Sequence, residues 1–168
     1  RQQPYRVEGG SPLLERNEIV KLLTYPRLAT QLDDPITPEI RNSVLATVNV
    51  PNRMLKRADV SDALTLAQRR GDTLRAALMS LADILTSPFS ADGMLRFDGY
   101  IEALTVLADN PNAPAGEALD WLVGYVGYDA HFDDYYGRSE AAEDRKRAVG
   151  ALRQYAHTTK HTLTDFLA

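Results

Sequence analysis

The sequence predicts an all-α protein: an up-down antiparallel four-helix bundle with smaller N-terminal helices and an extended N-terminal arm. Three observations carry that expectation. Val60, Leu64, Ala67, Gly71, Leu74, Leu78, Leu81 and Leu85 recur at alternating intervals of four and three, the seam of a helix packed lengthwise on others. The alternation returns in Met94, Phe97, Ile101, Leu104 and Ala108, and in Val149, Leu152, Ala156, Thr159, Leu163 and Phe166. The segments between these seams are short, which makes sequential helices antiparallel neighbours.

Each element has its own start and stop signals. Arg1 to Gly10 forms the arm, because Pro4 and the Gly9-Gly10 pair oppose a stable helix. Ser11-Pro12 reads as an N-cap with proline at the first helical position, opening a helix from Pro12 to about Leu23. Its buried residues are Leu13, Leu14, Ile19, Val20, Leu22 and Leu23, and Pro26 is expected to interrupt it. Pro26 to Leu32 adds a turn or two before the Asp33-Asp34-Pro35 turn. Thr37-Pro38-Glu39 starts a second helix with an acid facing the helix dipole, and Ile40, Val44, Leu45 and Val48 form its buried face. Val48-Asn49-Val50 and Pro51 end it.

The long helix of the Val60 seam is capped by Asp59 or Ser61 and ends near Thr86. Ala67 and Gly71 thin it where a neighbouring helix would cross closely. A further helix starts at Ser90 and stops at Asp109-Asn110-Pro111-Asn112. The next spans about Ala115 to Tyr136. One of its faces is aliphatic (Leu119, Leu122, Val123, Val126, Ala130) and the other aromatic (Trp121, Tyr125, Tyr128, Phe132, Tyr135). Ser139 caps a last helix that runs to the C-terminus. Residues 1–58 are thus expected to be an arm and short helices packed on a bundle of residues 59–168, within one domain. Only the few residues around Val48 to Val50 favour a strand.

Composition narrows the function. A chain of 168 residues with 44% hydrophobic and 25% charged content can bury a core of its own. Leucines buried on the seams contribute roughly 1.5–3 kcal/mol each, so no cofactor is expected to be needed for folding. No apolar run approaches the roughly 20 residues of a membrane-spanning helix, and no secretory signal opens the chain. The first residue is arginine, which suggests processing, trimming or a fragment and leaves localisation open. Without cysteine there is no disulfide and no thiolate metal site. The net charge of −4 disfavours coating nucleic acid by bulk electrostatics.

Few constellations could carry chemistry. His157, His161 and Asp165 stand at intervals of four on the last helix, which would line them on one face as a candidate metal site; the alternative is solvent-facing histidines. His131 is expected about 27–33 Å away from them at 1.5 Å of rise per residue. Ser90-Ala91-Asp92-Gly93-Met94-Leu95 has the order of a calcium loop. Its first and twelfth ligands would be Pro88 and Gly99, which carry no carboxylate. Asp129, Asp133 and Asp134 beside Tyr135 and Tyr136 read as a solvated helix end rather than an acid-base pair.

Asn52 to Arg57 follows a helix and a turn in the manner of a helix-turn-helix, with Arg53, Lys56 and Arg57 as candidate nucleic-acid contacts. The aromatic stripe Trp121, Tyr125, Tyr128, Phe132 and Tyr135 is the main candidate partner interface, the alternative being internal cover by the N-terminal helices. No phosphate loop, dinucleotide fingerprint, nucleophile elbow or Ser/His/acid pattern occurs. The sequence therefore predicts a non-enzymatic helical subunit that binds other protein subunits or its own copies. A DNA-binding regulator and a metal-binding bundle are the alternatives.

The ending Tyr155, Thr159, Leu163 and Phe166-Leu167, after an antiparallel bundle with an extended arm, resembles the extrinsic four-helix subunits of photosystem II in the thylakoid lumen. That resemblance implies an assembly-stabilising subunit left after removal of a transit peptide. It transfers no site residue to this chain.

Overall fold

The computed structural model describes residues 12–84 and 91–168, with residues 84 and 91–96 described for their backbone only. The expected arm, the Ser11 cap, the Leu85 end of the seam, and the Thr86 and Ser90 boundaries lie outside the described residues.

The described residues form an all-helical fold, as expected. A 3-10 turn at Leu13–Glu15 precedes α1 (Asn17–Thr30), α2 (Pro38–Thr47), α3 (Arg57–Arg70), α4 (Leu74–Ile84) and α5 (Ala91–Asp109). α6 (Ala115–Val126), α7 (Tyr128–Tyr136), α8 (Glu140–Thr159) and α9 (Leu163–Leu167) follow. Among the described residues there is no strand, only isolated bridges that pair Pro35 with Thr73 and Pro114 with Thr162. Contacts divide the chain into two compact units, Thr24–Asn110 and the combination of Arg1–Leu23 with Pro111–Ala168. The expected boundary after residue 58 falls in the first turn of α3.

The Thr24–Asn110 unit contains the Val60 seam, and its described side chains are core residues as expected. Val60, Leu64, Leu74 and Leu78 are fully buried, and Leu81 and Ala67 nearly so. The helix, however, is not continuous. Gly71 adopts φ +73° and closes α3 with its N–H on Gln68 O, while the Asp72 N–H reaches Ala67 O. That is the left-handed C-cap glycine makes without steric penalty. Thr73 Oγ1 then accepts from the Ala76 N–H at 3.2 Å and starts α4. The Ile36 N–H on Asp72 O (3.2 Å) and the Leu74 N–H on Asp34 O (3.0 Å) pin this turn to the Asp33–Pro35 turn. Gly71 is therefore a cap and not a point of close helix crossing: a Cβ there would meet nothing within 4 Å.

Pro26 also departs from expectation. It lies inside α1, which runs on to Thr30. One lost backbone bond is tolerated because the flanking Leu22, Leu23, Tyr25 and Leu28 are all buried. α2 begins as read, with Thr37 Oγ1 accepting from the Ile40 N–H at 3.2 Å and Pro38 in the first turn.

In the other unit, the expected long helix over Ala115–Tyr136 is two. Gly127, at φ +67°, ends α6 with its N–H on Gly124 O, and α7 starts from it. Ser139 caps α8 as expected, accepting from the Ala142 N–H at 3.3 Å. The last helix does not reach the C-terminus. Thr158 and Thr159 turn their hydroxyls back onto Tyr155 O and Ala156 O, Lys160 takes φ +55°, and Thr162 caps the short α9. Threonines that bond back to carbonyls weaken a helix end. The segment after the break is tied elsewhere, through the Leu163 N–H on Ala113 O (2.8 Å) and the Ala115 N–H on His161 O (2.9 Å). At the other end of this unit, Arg16 pairs with both Glu18 and Asp144, and the Tyr128 hydroxyl donates to Glu18 O at 2.7 Å.

Candidate functional site

The connection between α2 and α3 is densely hydrogen-bonded. It follows a helix C-terminus, where the last carbonyls have no partner in the helix and carry its partial negative charge. Arg53 supplies both partner and counter-charge. Its Nη1 donates to Val48 O at 2.9 Å, Pro51 O at 3.1 Å and Thr47 O at 3.3 Å, and its Nη2 donates to Tyr25 Oη at 3.0 Å. The guanidinium carbon lies 5.0 Å from the Tyr100 ring centroid and 5.9 Å from that of Tyr25. Arg53 is only 5% exposed. A planar cation with five donors fits this arrangement, and a single ammonium does not reproduce its fork.

The floor beneath the guanidinium is fully buried. Tyr25 and Tyr100 meet edge to face at 5.4 Å, and the Tyr100 hydroxyl shares a hydrogen bond with Thr47 Oγ1 at 2.8 Å. The Tyr25 hydroxyl donates to Val50 O at 2.6 Å. Burial pushes the titration of both phenols upward, and Arg53 opposes it. The floor is therefore neutral and the arginine is the charge.

Above the guanidinium the loop bonds to itself. Asn49 Oδ1 accepts from the Leu55 N–H (3.1 Å) and the Arg53 N–H (3.3 Å), and its Nδ2 donates to Leu55 O at 2.8 Å. Asn52 Oδ1 accepts from the Met54 N–H at 2.9 Å. Met54 takes φ +58°, and the Val50-Pro51 bond is cis. The outer surface consists of Asn52, Met54 (73% exposed), Lys56 and Arg57. Arg57 also donates to Leu45 O at 3.0 Å. Residues 38–70 carry six basic against three acidic side chains, whereas the whole chain is net −4. Of the three candidate nucleic-acid contacts, the structure thus buries Arg53 and leaves Lys56 and Arg57 on the surface beside it. Tyr25, Tyr100, Thr47 and Asn49 were not singled out from sequence. A tyrosine flanked by buried leucines in α1 was the available signal, since a buried phenol requires a hydrogen-bond partner.

The other candidates separate. Gly127 divides the aromatic stripe between α6 and α7. Tyr128 and Phe132 are core residues, 0% and 2% exposed and edge to face at 4.9 Å. Trp121 and Tyr125 stack at 4.9 Å, with Tyr125 41% exposed, and Tyr135 is 72% exposed. The stripe is thus partly core and partly exposed. Of the candidate metal ligands, His157 lies on α8, His161 in the linker and Asp165 on α9, so they do not share a helix face. His157 Nε2 pairs instead with Asp120 Oδ2 at 2.8 Å, and Asp165 accepts from Thr162 Oγ1 at 2.8 Å. Among the described residues no group of three or more potential ligands could hold a metal ion. No helix among them is long and apolar enough to cross a membrane.

No protein-family model matches the chain. It is similar to the ATP-dependent DNA helicase Rep of Salmonella typhimurium, 28% identical over 151 residues, and to that of Escherichia coli, 26% identical over 152. Each match covers 89% of this chain but 21% of the helicase, so the chain spans about a fifth of the length of these relatives.

Proposed function

We propose that the chain is a non-catalytic helical segment of a protein related to DNA helicases, and that it contacts DNA through the loop between α2 and α3. The observation that carries this reading is the similarity to a DNA helicase along 89% of the chain. The loop is where the chemistry fits. It presents Lys56, Arg57 and the start of α3, in a segment whose charge is opposite in sign to that of the whole chain. Cations and helix N-termini both favour phosphate oxygens. The chain itself has no phosphate-loop pattern, so ATP chemistry is not assigned to it.

Fluorescence anisotropy with labelled duplex and single-stranded DNA between 50 and 200 mM salt tests this. Binding should weaken with salt, and Lys56→Gln should lower the slope of log K against log salt by about 0.9 for duplex. Absence of binding at 50 mM salt, or an unchanged affinity in Lys56→Glu with Arg57→Glu, would overturn the proposal.

A second reading is a subunit that binds other proteins or its own copies through Trp121, Tyr125 and Tyr135. The stacked, partly exposed pair on α6 supports it, because aromatic side chains anchor interfaces. Sedimentation at several concentrations, with Trp121→Ala and Tyr135→Ala alongside, tests self-association. A wild-type chain that stays monomeric removes that form of the reading.

A further inference from the structure

We infer that Arg53 and Asn49 are positioning residues, which hold the 48–56 loop in the one shape that sets Lys56 and Arg57 against a DNA backbone. The functional half of this inference rests on the DNA-contact reading; the structural half does not.

A cation in a loop read as DNA-binding would ordinarily be assigned to a phosphate. Arg53 is placed otherwise. Its side chain points inward, is 5% exposed, and donates to three carbonyls and a phenol of its own unit. Two of those carbonyls, Thr47 O and Val48 O, belong to the C-terminal end of α2, and the third, Pro51 O, belongs to the loop. One guanidinium therefore fastens the end of a helix to the segment that leaves it. The Tyr25 hydroxyl makes the same connection from the other side, through Val50 O.

Asn49 completes the loop from within. Its amide bridges both backbone groups of Leu55 and the N–H of Arg53, so it closes the segment from Asn49 to Leu55 around the positive-φ Met54. An amide is needed for this, because the same side chain must accept twice and donate once. Arg53 below and Asn49 across thus tie Val48, Pro51, Arg53 and Leu55 together. The charges that follow project from a pre-formed edge, which removes an ordering cost from binding.

Direct contact and positioning predict different responses to the same substitution. Arg53→Lys keeps the charge and loses the planar fork. A phosphate contact tolerates that change; a positioning fork does not. The test compares Arg53→Lys, Asn49→Ala and Lys56→Arg with wild type, by amide hydrogen exchange of the loop and by duplex-DNA anisotropy across salt. Asn49→Ala leaves the buried arginine in place, so it carries the test if Arg53→Lys fails to fold.

The expected result is faster exchange at the Leu55 and Arg53 amides in Asn49→Ala and faster exchange across the loop in Arg53→Lys. DNA affinity should fall at least tenfold in both, while Lys56→Arg retains wild-type affinity. Either of two results overturns the inference: Arg53→Lys with wild-type loop protection, or Asn49→Ala with wild-type protection at Leu55. If the wild-type chain binds no DNA, the proposed function fails, and the exchange data alone still decide whether the two residues hold the loop.

Discussion

Gly116 and His157 provide a sharp test of the packing between α6 and α8. Gly116 is buried in the first turn of α6. A Cβ built on it would lie 2.3 Å from His157 Nδ1, 2.4 Å from Cγ and 2.6 Å from Cε1, so the imidazole lies flat on the glycine. The ring is held there by the bond from His157 Nε2 to Asp120 Oδ2 at 2.8 Å, and Asp120 in turn pairs with Arg153. Gly116→Ala in an open helix would stabilise by about 1 kcal/mol through helix propensity. Here the ring must move by about an ångström to restore ordinary contact, which forces strain of roughly 1–3 kcal/mol or breaks a half-exposed hydrogen bond worth about 0.5–1 kcal/mol.

Gly116→Ala should therefore fall between stabilising by about 0.5 and destabilising by about 2 kcal/mol in wild type, yet stabilise by about 1 kcal/mol in a His157→Ala background. The coupling between the two sites comes out at about 0.5–3 kcal/mol. Urea unfolding followed by the fluorescence of Trp121 measures it, since the chain has one tryptophan and it stands on α6 itself. Equal effects of Gly116→Ala in the two backgrounds would refute the packing argument.

The Met54 and Asp144 sites give two further expectations. Met54 holds φ +58° without a glycine's freedom, which costs a non-glycine residue roughly 1–2 kcal/mol, so Met54→Gly should raise stability by about 0.5–1 kcal/mol after glycine's own entropic cost. Met54→Ala should not, and a Met54→Gly variant less stable than wild type in urea would count against the strain. The hydrogen bond from Arg16 holds the Asp144 carboxyl below its ordinary range, outweighing a smaller opposing effect of burial. Its folded pKa is depressed, so the unfolded chain binds the proton first. The stabilisation is complete above the unfolded carboxylate pKa of about 3.9 and is lost as pH falls through the folded value. Urea midpoints measured from pH 7 down to pH 3 should therefore fall less steeply in Asp144→Asn than in wild type.

The apolar spacing identified the buried positions more reliably than the helices that carry them. Every described member of the Val60 seam other than Gly71 is in the core, although the helix stops at Gly71 and restarts at Leu74. A three-residue turn of Gly71, Asp72 and Thr73 preserves the four-three count, so periodicity alone does not register it. Gly127 breaks the aromatic stripe in the same manner. At Gly71 the sequence suggests a helix thinned for a neighbour. Glycine's other property, access to positive φ, is the one the fold uses.

The loop after α2 was legible in a different measure. Arg53, Lys56 and Arg57 stood out as basic residues after a turn, but charge alone does not tell an arginine that faces a phosphate from one that caps a helix. What separates them is long-range. Tyr25 and Tyr100 lie 28 residues before and 47 residues after Arg53, and no local pattern joins the three. Once they meet, their hydroxyls and ring faces make an interior place for a guanidinium, and the carbonyls of Thr47, Val48 and Pro51 hold it there. Lys56 has no such interior place and stays on the surface. The same chemical class of residue therefore divides into one that builds the loop and one that the loop presents, and only the second belongs in a count of charges available to a partner.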